Sequence, residues 1–151
     1  MDATVAVAAL GFASTLLAAW LAARWQKRGL VETEILTAQV QAYGDCAQAL
    51  YEFERVSYNR AVTKLRGTDR PELAQQVYEQ HSVARAAIGR LTILSRGSDV
   101  WRRLNELRRA VRVMHDLEDE AALKAEHHRV MHELDEILAE VRDQFDDLQG
   151  R

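Results

Sequence analysis

Two patterns of apolar and polar residues divide this chain. From Ala3 to Ala23 no residue is charged, and the run reads ATVAVAALGFASTLLAAWLAA. Wound as a helix at about 1.5 Å per residue, it would cover roughly 30 Å, the thickness of a bilayer's hydrocarbon core. Arg24 ends it, with Lys27 and Arg28 close behind and Trp20 and Trp25 at the same end. Indole rings and basic side chains settle at the headgroup level, so these five are the expected membrane-interface residues. The pattern predicts a transmembrane anchor in residues 1–28.

A cleaved leader fits poorly, because the chain opens Met1-Asp2 instead of on basic residues. Cuts after Ala23 or Ala22 would also place Leu21 or Trp20 where a small residue is needed. One acid, Asp2, precedes the run and three basic residues follow it. The positive-inside rule then expects a single pass through the inner (plasma) membrane, N-terminus outside and C-terminal part cytoplasmic. Gly11, Thr15, Ala19 and Ala23 recur every fourth position, a small-residue face on which two such spans would self-associate.

Beyond residue 28 the period changes to that of amphipathic helices, and residues 29–151 read as an antiparallel bundle of about four. Leu36, Val40, Tyr43, Ala47, Leu50, Phe53 or Glu54, Ala61 and Leu65 form one stripe, ending near Gly67. Asp69 is the expected cap of the next helix, with Pro71 in its first turn and a stripe from Leu73 through Val77, His81, Ala84 and Ile88 to Leu91. Ser98 is expected to open a third helix, with Asp99 in its first turn, buried through Val100, Leu104, Leu107, Val111 and Met114. A break is expected at Leu117–Glu120. The last helix repeats as heptads: Leu123, His127, Val130, Leu134, Ile137, Val141, Phe145 and Leu148.

Charge sharpens this picture. Residues 82–115 hold eight arginines against Asp99 and Glu106, a net of +6, whereas residues 116–151 hold twelve acids against four basic residues, a net of −8. Adjacent helices of opposite sign would attract and so fix their register. Arg102, Arg109 and Arg112, with Trp101 beside them, form a basic face that pairs internally or stays solvated, meets anionic lipid, or meets nucleic acid. The net charge of −3 for the whole chain sets nucleic acid behind the other two.

No catalytic constellation is present. Cys46 is the single cysteine, which excludes an internal disulfide and a multi-cysteine zinc site. His128 and His132 stand four apart on one helix face, a metal-ligand spacing, but Arg129 occupies the position where a zincin carries its glutamate. Neither a metal nor a cofactor is expected, and His127 reads as a packed core residue. Phosphate-binding glycine loops and a GxSxG elbow are absent from the sequence.

Arg24-Trp25-Gln26-Lys27-Arg28 after an uncharged span, then Gln41-Ala42-Tyr43 and Ala49-Leu50-Tyr51-Glu52-Phe53, resemble small actinobacterial membrane proteins that pair one N-terminal helix with a cytosolic helical bundle. That resemblance implies an all-α architecture and no particular activity. The expected function is a membrane-tethered, non-catalytic interaction module, a scaffold or adaptor with a protein partner or a second copy of itself. The alternatives are a holin-like effector that oligomerises through its span, and a sensor holding a small molecule in its bundle core.

Overall fold

A computed structural model describes the backbone of residues 3–95 and 99–149, and the side chains of residues 32–95 and 99–146. Among these residues there is no strand. Four α-helices follow in order: α1 (Ala3–Leu65), α2 (Pro71–Leu94), α3 (Val100–Val113) and α4 (Glu120–Gln149), with one 3-10 turn at Met114–Asp116. Backbone contacts separate Met1–Ala38 from Gln39–Arg151. The first of these units is helical throughout its described residues, and Thr37 Oγ1 donates back to the Thr33 carbonyl at 2.9 Å.

The all-α expectation holds, but the transmembrane helix ahead of a separate bundle does not. Among the described residues no helix is long and apolar enough to cross a membrane. Where side chains are described, the longest uncharged stretch, residues 35–44, is about half of the roughly 20 residues that a bilayer demands. The expected single-pass placement in the inner membrane is overturned with it, and the holin-like reading loses its basis. Residues 3–23 belong to α1 and are not a helix of their own. The side chains of Gly11, Thr15, Ala19 and Ala23, and of Trp20, Arg24, Trp25, Lys27 and Arg28, lie outside the described residues.

Residues 39–149 form an antiparallel four-helix bundle, and cross-helix contacts give its order. Against α4, Tyr43 meets Phe145, Tyr51 meets Asp135 and Tyr58 meets His127, so the two helices run in opposite directions. Against α2, Gln39 bonds the Leu94 carbonyl and Phe53 meets His81, which is again antiparallel. His81 meets Arg108 across α2 and α3, and Arg103 meets Glu140 across α3 and α4. The helices therefore close a ring in which α1 is flanked by α2 and α4, and α3 by the same pair. Phe53, Ile88, Leu107 and Ile137, at most 2% exposed, sit at its centre, one from each helix. The third stripe, Val100 to Met114, is buried as its spacing predicts.

Local chemistry sets the ends of the elements. Gly67 adopts φ +70, Thr68 N–H donates to the Thr63 carbonyl, and Gly67 N–H to that of Lys64. This paired closure ends α1 where the sequence places its stop. Asp69 does not cap α2. The cap position falls on Arg70, which is extended because proline bars the residue before it from helical angles. Asp69 lies instead 3.7 Å from Arg60. Ser98 lies outside the described residues, and Asp99 holds the N-cap position of α3 without a side-chain cap bond. The expected break is present. Leu117 is extended, and Asp119 Oδ2 accepts the Ala122 N–H at 3.0 Å to cap α4.

Val40 departs from its stripe and is 53% exposed. Thirteen residues before Phe53, the helix has turned about 140° away from the inward direction. Two glycines isolate the backbone contribution to stability. An added Cβ would meet nothing within 4 Å at Gly67 or at Gly89, and only Gly67 has a positive φ. Gly67→Ala should lower the unfolding free energy by about 1 kcal/mol, and Gly89→Ala, inside α2, should raise it by about as much. Urea denaturation followed by helical circular dichroism reads both.

Candidate functional site

Polar side chains cluster on two seams of the bundle, and both involve histidines from its apolar stripes. On the α1–α4 seam, Glu54 is 4% exposed and accepts a hydrogen bond from His127 Nδ1 at 2.6 Å. The Tyr58 ring lies 4.7 Å from the imidazole, tilted by 42°. A carboxylate this deep is costly unless bonded, and the ring N–H supplies that bond. Eight residues on along α4, Tyr51 donates its hydroxyl to Asp135, and burial together with that bond pushes its own pKa up to about 12. His127 is thus half-buried and bonded, not a fully packed core residue.

On the α2–α3 seam, Arg108 Nη1 donates to His81 Nε2. Guanidinium has no acceptor, so the imidazole nitrogen must present its lone pair. The environment agrees. Burial foremost, then Arg108, Arg112 and Arg85, holds His81 below its ordinary pKa. Arg108 is likewise lowered, first by burial and then by Arg85, Arg109 and Arg112. The Phe53 ring, 5.4 Å away on α1, completes the surroundings of His81.

The residues singled out from the sequence fare unevenly. Arg102 pairs with Asp99 at 3.0 Å within its own turn. Arg109 and Arg112 are exposed and make no ion pair among the described residues. The expected pairing of basic α3 with acidic α4 amounts, among the described residues, to Arg103–Glu140 at 2.7 Å. Much of the α4 acid is held locally, with Arg129 bonding both Glu126 and Glu133. His128 is exposed with its ring 5.5 Å from that of His127, and His132 lies 3.8 Å from Glu136. Among the described residues no three histidine, cysteine or acidic side chains gather as a metal site would require. Cys46 is 1% exposed, and burial, with a smaller contribution from Asp45, pushes its thiol up to about 12. A thiol so placed stays protonated near neutral pH, and the thiolate is the reactive form.

Sequence reasoning missed both seam contacts, although a signal was there. Glu54 shares the inward arc with Phe53, and a charged residue at a buried phase calls for a partner on the facing helix. His127→Ala strands that carboxylate and should cost about 2 kcal/mol, whereas Glu54→Gln should cost less because its amide oxygen still accepts the ring N–H. Urea unfolding of the two variants checks the order. For His81, the folded chain resists protonation, so the unfolded chain binds more protons once pH falls below the ordinary value of 6.5. Its contribution to stability is therefore lost as pH drops through that value. His81→Gln should flatten the change in unfolding free energy between about pH 7.5 and 5.5.

No curated protein and no solved structure matches this chain. The family model of the KilB plasmid transfer protein matches residues 40–145, which is 106 of the 151 residues and takes in both polar seams. The chain belongs to the KilB plasmid transfer protein family.

Proposed function

We propose that this chain is a non-catalytic helical interaction module, a scaffold or adaptor, that serves plasmid transfer by holding a partner on the outside of its bundle. The family match supports the process, and the bundle suits the role. One observation carries the reading. The buried reactive groups are committed to holding helices together or are inert: Glu54 to His127, His81 to Arg108, and Cys46 beneath a raised pKa. What the bundle offers to other molecules is its outer surface, where Arg85, Arg109 and Arg112 make no ion pair among the described residues.

The test is capture of the intact tagged protein from plasmid-bearing cells after mild cross-linking, with stoichiometry read by mass spectrometry. Deletion and complementation of the chain in a plasmid-transfer assay accompany it. The expected result is one stoichiometric partner or self-complex, and a transfer defect that the wild-type chain restores. Recovery of no stoichiometric complex, or transfer unaffected by deletion, overturns the reading.

A further inference from the structure

The His81–Arg108 contact fixes two helix stripes side by side. Tyr78, His81 and Arg85 follow one another on α2 at steps of three and four, and Trp101, Asn105, Arg108 and Arg112 do so on α3. Because the helices are antiparallel and paired at 81 and 108, Tyr78 is level with the turn of Arg112, and Arg85 with the turn of Asn105. No carboxylate occupies either stripe, in a chain with 23 acids and a net charge of −3. Tyr78 is 69% exposed and Trp101 38%. Arg85 and Arg112 make no ion pair among the described residues.

We propose that this α2–α3 seam binds single-stranded nucleic acid, with Arg85, Arg108 and Arg112 on the phosphates and Trp101 and Tyr78 against the bases. This goes beyond the interaction module proposed above and does not depend on its protein partner. Like charges packed this closely repel, and the acceptors that Arg108 meets in the seam, Asn105 Oδ1 at 3.3 Å and His81 Nε2, are neutral and leave the charge in place. An anion offsets it, and guanidinium forks match phosphate oxygens two at a time. The aromatic rings decide between anions. An acidic peptide leaves the two exposed rings unmatched, whereas a nucleic acid strand alternates charge with flat π-faces. A duplex keeps its bases stacked on one another, so the strand must be single.

The acidity of α4 does not oppose binding here. Arg103, which meets Glu140, lies on the opposite flank of α3 from Arg108, so that acid is on the far side of α3 from the seam. From Trp101 to Arg112 the α3 stripe runs roughly 16 Å, room for a few nucleotides.

The test uses the full chain with Trp20→Phe and Trp25→Phe, which leaves Trp101 as the one indole. A 12-residue oligothymidylate is titrated in, and indole fluorescence and the anisotropy of a labelled oligonucleotide are followed. Expected are quenching of Trp101 and a slope of log K against log salt of about −2, three phosphates at about −0.7 each. The double variant Arg85→Ala, Arg112→Ala should bind at least tenfold more weakly, with the slope falling to about −0.7. Tyr78→Ala should weaken binding about tenfold while leaving the slope unchanged. Circular dichroism and the unfolding midpoint of each variant establish that it is folded. Absence of binding, binding without quenching, or a duplex held as tightly overturns the proposal. Equal affinity for poly-glutamate overturns it in favour of an acidic protein partner. None of these outcomes alters what the cross-linking capture recovers, so the two readings fail separately.

Discussion

The bundle depends on covering α1 along two flanks at once. From Val56 through Phe53 and Leu50 to Ala47, its buried positions span about half the circumference, wider than the stripe a helix presents to one neighbour. One partner helix would leave much of that arc in water, so α2 and α4 must both lie against it, each antiparallel. The third helix then closes the opposite side, and its short apolar stripe from Val100 to Met114 completes the core. A wide arc has a chemical consequence. Polar residues interleaved in α1 are carried inward with the apolar ones, and Glu54 and Ser57 end 4% and 1% exposed. Glu54 obliges a donor on α4, and His127 meets it. The Ser57 hydroxyl finds no partner among the described residues.

Charge plays a different part from the one its distribution along the chain suggests. Opposite signs on successive helices look like a device for pairing α3 with α4, yet one bridge, Arg103–Glu140, joins them among the described residues. Helical phase is the reason. Of the arginines in α3, Arg103 points toward α4, Arg108 toward α2, and Arg102, Arg109 and Arg112 point away from the core. The charges are therefore distributed over outer faces. Apolar packing and the antiparallel order fix the register, and an exposed ion pair adds at most a few tenths to about 1 kcal/mol.

Periodicity made the bundle legible. The inward residues of α3 and α4, the stop at Gly67 and the break ahead of Glu120 follow from spacing and from a handful of end signals. Caps were harder to read, because Pro71 moves the cap position to Arg70 whatever the virtues of Asp69. The seams were nearly invisible. A stripe says which residues face inward but not which helix each will meet, so Glu54 and His127, 73 positions apart, stood in separate stripes. The same limit hid the company of Arg108, whose neighbours Arg85 and His81 come from α2. The uncharged N-terminal run misled for another reason: it measures apolarity over a window and says nothing of where a helix begins or ends.

The α1–α4 and α2–α3 seams are held by different chemistry, and that difference decides which one is available to another molecule. Between α1 and α4 two acids find their complements: Glu54 with the His127 imidazole, Asp135 with the Tyr51 phenol. Between α2 and α3 the central contact joins a guanidinium to a neutral imidazole, with further cations around it. A hydrogen bond of that kind aligns two helices but discharges nothing, and the surplus positive charge remains at the surface. Satisfied seams are structure. A seam that keeps its charge, its exposed rings and its donors is where this fold has something left to bind.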